Sequence, residues 1–331
     1  MKEIILKKQG GKKSLLTDKE SQNGGNFSIY LLGKKLFKKS YQLKINATSK
    51  ESNITIHWDN YWQSKKPNNE YLIVREPPCI IPKNHDPENF KNFKKVFTWN
   101  EKYINNENIF PLPFAQREDQ TILENSGENF CCLISSNKLS FHKDELYSER
   151  KKAIKYFEKK YPNKFSLYGY RWNSFFYPFK SNIKSLWRKD FSILKALYYI
   201  YVLIFDNYYE VYKGTLDNKL ETLSKYKFCI CYENQRGVHG YITEKIWDCF
   251  FTGSIPIYLG SENIEQYIPK GCFIDKRNFN NYDELYKYMS SLNKKEIKKY
   301  QENIDTFLNS TKAKNMYSEH WSNTVIKNIL I

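Results

Sequence analysis

Short apolar runs, closed by polar residues or proline, alternate with helix-period segments along most of the chain. "SNITIHWDNYW" and "EYLIVREPPCIIP" have the β-branched and aromatic density of strands. The second runs into Pro77 and Pro78. Proline cannot extend a central strand, so the chain turns there and leaves Glu76 at a strand's carboxyl end. "KKVFTWN", "NIFPLPF" and "NFCCLISSNK" predict three more short strands. In "DELYSERKKAIKYFEKKYP", Leu146, Ile154 and Phe157 recur at helical spacing until Pro162 stops the helix. A second alternation follows. "FSLYGYRWN" predicts a strand, a glycine turn and Arg171. "YKFCICYEN" is a strand ending in Glu233 and Asn234, followed by a glycine-bearing loop and an apolar helix. "SIPIYLG" and "GCFID" are strands, and "SENIEQYIP", "NYDELYKYMSSL" and the tail "KNMYSEHWSNTVIKNILI" are helices. The stretch to about Asn26 reads as a short strand with a loop, or as a free end. Strands alternating with helices predict parallel sheets covered on both faces. Two such runs predict an α/β chain of two facing domains, at 1–158 and 159–310, with a C-terminal helix in 311–331 crossing back to the first.

One segment stands apart. Residues 191–205, "FSILKALYYIYVLIF", are a near-continuous apolar run interrupted by Lys195. A helix of that length spans roughly 22 Å at ~1.5 Å per residue, short of the ~30 Å hydrocarbon core. The run fits a buried helix, or a peripheral membrane contact assisted by Lys184, Arg188 and Lys189, better than a spanning one.

Charge narrows the partners. The 331 residues hold 53 Lys and Arg against 36 Asp and Glu, a net +17. That sign suits nucleic acid, an acidic membrane surface or a sugar nucleotide's phosphates. The basic residues are spread along the chain rather than gathered in a stripe, so no nucleic-acid partner is expected. A basic nucleic-acid or membrane-surface binding protein stays the alternative class. The seven cysteines are scattered without a CxxC pair, which speaks against zinc and for reduced thiols in a reducing compartment. Ile4, Ile5 and Leu6 alone are too short an apolar run for a signal peptide. A cytoplasmic setting, peripheral on the inner face of a membrane, is expected. The glycosylation-type triplets at Asn53 and Asn309 read as chance.

The chemistry concentrates in the loop "ENQRGVHGYITEK". The strand before it delivers Glu233 and Asn234 to a sheet's carboxyl edge, where open α/β folds bind ligands. Gly237 and Gly240 let backbone approach a ligand closely. Thr243 is a candidate N-cap, and a helix N-terminus with Lys245 beside it suits a phosphate. Glu244 is out of place for phosphate alone but fits the hydroxyls of an attached sugar. The pattern points to a nucleotide diphosphate carrying a sugar, although Glu244 and Lys245 also fit a solvated first turn.

The whole stretch "YKFCICYENQRGVHGYITEKIWDCFFTGSIPIYLG" resembles the signature of the α-1,3-fucosyltransferases, the inverting family that uses GDP-fucose. Weaker echoes extend from about Tyr71 to Phe279, while the first seventy residues match poorly and are expected to choose the acceptor. The resemblance implies two Rossmann-like domains around a central cleft, the GT-B type. It implies that Tyr241, Glu244 and Lys245 hold GDP-fucose, with Asn234 against it. Arg171 would neutralise the diphosphate and Glu76, in "REPP", would be the general base. Lys219, in "YKGTLDNKLETLSKYKF", matches a family lysine of unassigned role. The implied reaction moves L-fucose to a glycan hydroxyl, on N-acetylglucosamine or a similar sugar in α-1,3 linkage, with inversion. Another nucleotide sugar on the same fold is the alternative. The chain contains no Asp-x-Asp, so no metal and no cofactor is expected, and Arg171, Lys245 and the helix N-terminus would take a cation's place. The basic surface and the 191–205 run suggest a lipid-linked or lipopolysaccharide acceptor.

Overall fold

The computed structural model describes residues 1–17, 24–47, 54–59, 69–173 and 208–330. The apolar run at 191–205 lies outside them. Among the described residues, no helix is long and apolar enough to cross a membrane.

The strands sort into two parallel sheets. β1 (Lys2–Lys8), β2 (Tyr41–Ile45), β3 (Ile54–Trp58), β4 (Glu70–Ile73), β5 (Lys95–Thr98) and β6 (Ile109–Pro111) pair in the order β2-β1-β3-β4-β5-β6. β7 (Asn129–Ile134), β8 (Phe165–Tyr168), β9 (Tyr226–Tyr232), β10 (Ile255–Leu259) and β11 (Ile274–Asp275) pair in the order β11-β10-β9-β7-β8. This corrects the expected boundary at 158. The chain leaves the first sheet at Pro111 and enters the second at Asn129. β7 pairs with both β8 and β9, so residues 159–310 by themselves would lack a central strand.

Helices cover the faces. In the first domain α1 (Gly24–Lys38) buries Ile29, Leu32 and Leu36 with Ile4 and Leu6 of β1. The second sheet is buried on both sides. α2 (Tyr147–Lys160) sets Ile154 and Phe157 against Phe228 and Ile230 of β9, together with Leu285 of α4 (Tyr282–Ser291). On the other face α3 (Glu244–Phe250) and α5 (Lys294–Leu308) enclose Cys229 and Cys231 with Trp247 and Phe307. Burial on both faces is why β9 reads as an unbroken apolar run rather than an alternating one. α6 (Ser318–Ile329) returns to the first domain, where Trp321, Val325 and Ile329 join the core of β1 and α1.

Of the elements named above, α1, β2 and α5 were not read from the sequence. α1 opens on Gly24-Gly25, poor helix formers that resemble a loop. α5 carries a readable start, because Asn293 accepts from the Lys295 and Glu296 amides while Glu296 accepts from Asn293.

Candidate active site

Each sheet has one point where strand order reverses, between β1 and β3 in the first and between β7 and β9 in the second. Parallel α/β sheets bind ligands beyond the carboxyl ends of their strands at such points. Here the two points face each other across a cleft of about 450 Å³. Lys8, Trp58 and Asp59 come to it from the ends of β1 and β3, and Arg75 and Glu76 follow β4. Ser135, Ser136 and Lys138 follow β7, and Asn234 follows β9.

The peptide that carries Glu76 is pinned on every side. Asp59 Oδ1 accepts from the Arg75 amide at 2.7 Å, the Glu76 amide at 2.9 Å and Asn84 Nδ2 at 2.6 Å. The Glu76 carbonyl accepts from His85 Nε2 at 2.9 Å, and the Arg75 carbonyl accepts from Trp99 Nε1 at 2.9 Å. Burial lowers His85 to about 4, with the bond to the Glu76 carbonyl opposing that shift, so the ring is neutral at pH 7. Its Nε2–H donates to Glu76 while Nδ1, 3.2 Å away, accepts from Asn100 Nδ2. Asp59 holds this post at φ +66°, a left-handed conformation that few side chains other than Asp and Asn adopt. Burial raises the Glu76 carboxyl above its ordinary range and the charge of Asp59 raises it further, with Lys138, Lys245 and Arg75 acting the other way. A carboxylate so raised and aimed into a cleft has the character of a general base.

On the facing edge the chemistry is cationic. Glu233 does not line the cleft: it is fully buried behind it. Its Oε1 accepts the Thr243 amide at 2.8 Å, and its Oε2 accepts Thr243 Oγ1 at 2.7 Å and Lys245 Nζ at 3.1 Å. Thr243 occupies the N-cap position but makes no side-chain cap bond, since its hydroxyl is turned to Glu233. The expected capping role is therefore replaced by a buried Glu233–Thr243–Lys245 cluster. Burial works against the Lys245 ammonium, yet Glu233 and Glu244 raise it above its ordinary value. Burial likewise opposes ionisation of Glu244, but Lys245 and Lys219 hold it down to about 2. Lys219 is ion-paired with Asp248. Asn234 donates to the Tyr241 hydroxyl at 3.2 Å and accepts from Arg150 Nη2 at 3.0 Å. That same Arg150 nitrogen donates to the Tyr232 and Glu233 carbonyls, both at 2.7 Å, and so fixes the end of β9.

Glu76, Lys219, Asn234, Tyr241, Thr243, Glu244 and Lys245 are thus brought to one cleft, and Arg171 is not among its lining. Arg171 is exposed in the turn after β8, the edge strand, one strand away from the reversal point. Its charge still reaches Lys138, whose pKa burial lowers first. Lys138 and Arg150 are cations that do line the cleft. The loop glycines also change role. A Cβ on Gly240, at φ +79°, would lie 2.3 Å from the Trp99 carbonyl oxygen, so this glycine lets the second domain close on the first. Tyr241 seals that seam, with its ring 4.7 Å from Trp99 and 5.5 Å from Phe114.

Asp59, Arg75, His85, Lys138 and Arg150 were missed by sequence reasoning. Asp59, directly after the strand "ITIHW", is the one with a visible signal: an acidic residue at a strand's carboxyl end. Among the described residues, no group of three or more His, Cys, Asp or Glu could hold a metal ion.

Comparison with known proteins agrees with this fold. Residues 178–324 match the model of glycosyltransferase family 10 (fucosyltransferase) C-term. Over 75 residues, 23% of the chain, the sequence is 44% identical to an alpha-(1,3)-fucosyltransferase of Helicobacter pylori. Over 80 residues it is 42% identical to a 4-galactosyl-N-acetylglucosaminide 3-alpha-L-fucosyltransferase of Mus musculus. The matched stretches span 16% and 22% of the length of these relatives. The fold aligns with an alpha1,3-fucosyltransferase solved with GDP, at a TM-score of 0.56 and 16% identity over 99% of this chain and 89% of that one. It also aligns with Anabaena HepE solved with UDP and glucose, at a TM-score of 0.54 and 9% identity over the whole of both chains. The two facing sheets are a GT-B arrangement, as in the solved alpha1,3-fucosyltransferase, and the stretch that resembles the fucosyltransferase family, residues 178–324, is under half of the chain.

Proposed function

We propose that the cleft transfers L-fucose from GDP-fucose to a hydroxyl of a glycan, on N-acetylglucosamine or a similar sugar in α-1,3 linkage. The observation that carries this reading is the pairing across one cleft of a raised, backbone-pinned Glu76 with the Lys245 cluster of the facing edge. The family match and the resemblance of the signature stretch support fucose as the sugar.

The acceptor hydroxyl gives its proton to Glu76 as its oxygen bonds to the anomeric carbon of fucose. The bond from that carbon to the phosphate oxygen breaks on the opposite face, which inverts the configuration. The leaving diphosphate takes the electron pair, and Lys245, Lys219, Lys138 and Arg150 stand where that charge gathers. Glu244, ionised and partly exposed, is placed to accept from donor hydroxyls. Four cations give the leaving group its stabilisation without a resident ion, so turnover is expected in the presence of chelator.

The test uses purified protein with GDP-fucose and a small glycan array, beside a panel of other GDP- and UDP-sugars. Transfer from GDP-fucose alone is expected. Glu76→Gln is expected to lower kcat about 10²–10⁴-fold, the range for removal of a general base. Transfer from a different nucleotide sugar, or full activity in the Glu76 variant, would overturn the reading.

A further inference from the structure

The first-domain wall of the cleft holds two cations that the donor chemistry leaves unused. Arg75, on the residue before the base, has its guanidinium carbon 4.3 Å from the Phe114 ring centre and 5.0 Å from that of Trp58. Its Nε and Nη1 are buried with no hydrogen-bond partner. Gly25 makes room for it, because a Cβ there would lie 2.8 Å from Arg75 Nη2. Lys8, at the end of β1, lies with its Nζ 5.5 Å from the Trp58 ring centre and forms no ion pair among the described residues. The two cations repel each other across one indole, and burial lowers both. Asp59, Glu244 and Glu76 favour the Arg75 charge from a distance. None of them makes a hydrogen bond to it, and Asp59 Oδ1 is already taken by three other donors.

A half-buried guanidinium with two nitrogens closed off from water and no bonded counter-ion is costly, and such groups are normally paired. The open side of this one is the cleft. We propose that Arg75 and Lys8 form an anion subsite that recognises an acidic group, a carboxylate, sulfate or phosphate, on the acceptor glycan. This rests on the fucosyl-transfer reading and deepens it. The acceptor is assigned rather than the donor because both cations stand on the carboxyl edge of the first sheet, on the side of Glu76. The acceptor must lie against Glu76 to lose its proton. The cations placed for the diphosphate stand on the facing edge.

The experiment compares a neutral disaccharide acceptor with counterparts bearing a carboxylate, a sulfate or a phosphate near the reacting hydroxyl. Binding is measured by calorimetry without donor, and KM by transfer from GDP-fucose. The parent is expected to prefer at least one acidic counterpart by about 30-fold, the scale of losing one partner of a buried charge pair. Which anion wins identifies the source of the charge. Arg75→Gln and Lys8→Gln are each expected to bring that ratio toward one, and the second variant guards against a folding defect in the first. Turnover of GDP-fucose with no acid preference would overturn the subsite and leave the donor reading standing. So would a rise in the KM for GDP-fucose in both variants equal to the rise for acceptor, which would assign the cations to the diphosphate. Acid-selective binding without GDP-fucose turnover would overturn the donor reading and keep the subsite.

Discussion

Glu233→Gln tests the cluster on which the cationic edge is built. The carboxylate is fully buried, and it receives the Thr243 amide, the Thr243 hydroxyl and the Lys245 ammonium within 3.1 Å. Glutamine keeps the shape but loses the charge. One end of its amide must also point N–H groups toward a donor. Breaking one side of a buried ion pair costs about 3–5 kcal/mol. Lys245 keeps Glu244 at 3.8 Å and its side chain is 20% exposed, so the low end applies, about 3 kcal/mol. For a domain of this size that is a fall in Tm of roughly 6–12 °C. The assay is urea and thermal unfolding of the full chain, parent against variant, with KM for GDP-fucose measured alongside. A displaced Lys245 should also cost about 10²-fold in kcat/KM. The double variant Glu233→Gln, Lys245→Met removes the stranded ammonium and is expected to regain part of the lost stability. Unfolding of the single variant within about 0.5 kcal/mol of the parent, or a double variant no more stable than the single, would refute the reasoning.

Other expectations follow from the same geometry. As the proposed base Glu76 must be ionised, and burial with Asp59 raises it, so activity should fall with decreasing pH along a limb lying above the ordinary glutamate range. Asp59→Asn should move that limb to lower pH, and a limb that stays put would rule out charge coupling between the two. His85 sits at about 4 in the folded protein against an ordinary 6.5, so its stability contribution is complete above pH 6.5 and is lost as pH falls toward 4. The loss is about 3 kcal/mol. His85→Gln should unfold with a flatter acid limb in urea titrations between pH 7 and 4.5, and parallel limbs would contradict the assignment. Gly240→Ala meets both a positive φ and the Trp99 carbonyl, and should cost about 2–4 kcal/mol. Gly237→Ala, whose nearest neighbour is 3.7 Å away, should cost about 1 kcal/mol. Equal effects of the two on unfolding would remove the proposed role of Gly240 in the seam.

The fold was legible where one period or one terminator decided the matter. The apolar run of β9 and the proline pair after Arg75 and Glu76 each have a single local cause. The residues that work through another residue were not legible in the same way. Asp59 matters because β3 ends beside β4, which brings its carboxylate under the Arg75 and Glu76 amides from some sixteen positions away in the chain. His85 and Trp99 act on that same peptide from later turns, and nothing in their local sequence marks them. Arg171 lies outside the cleft lining for a reason of the same kind. Its local context, a strand followed by glycine, resembled the neighbourhood of a diphosphate ligand. Sheet order then placed that strand at the edge, and no local pattern encodes sheet order.

The helix start raises a last physical point. A helix N-terminus attracts anions through unpaired amides and an aligned dipole, and both grow only over the first turns. α3 has seven residues, and the amide of its N-cap residue, Thr243, is already given to Glu233. Backbone charge is therefore a minor source here, and on the proposed function Lys245 supplies most of the attraction. Glu233 is what makes that workable. Burial works against the ammonium of a lysine at this depth, and the buried carboxylate of Glu233, together with Glu244, more than offsets it. The carboxylate also fixes the ammonium in one place, so its strength need not be drawn from the helix. The glutamate, threonine and lysine of this stretch are best understood as one unit, in which the buried acid favours and positions the charge that the lysine brings to the cleft.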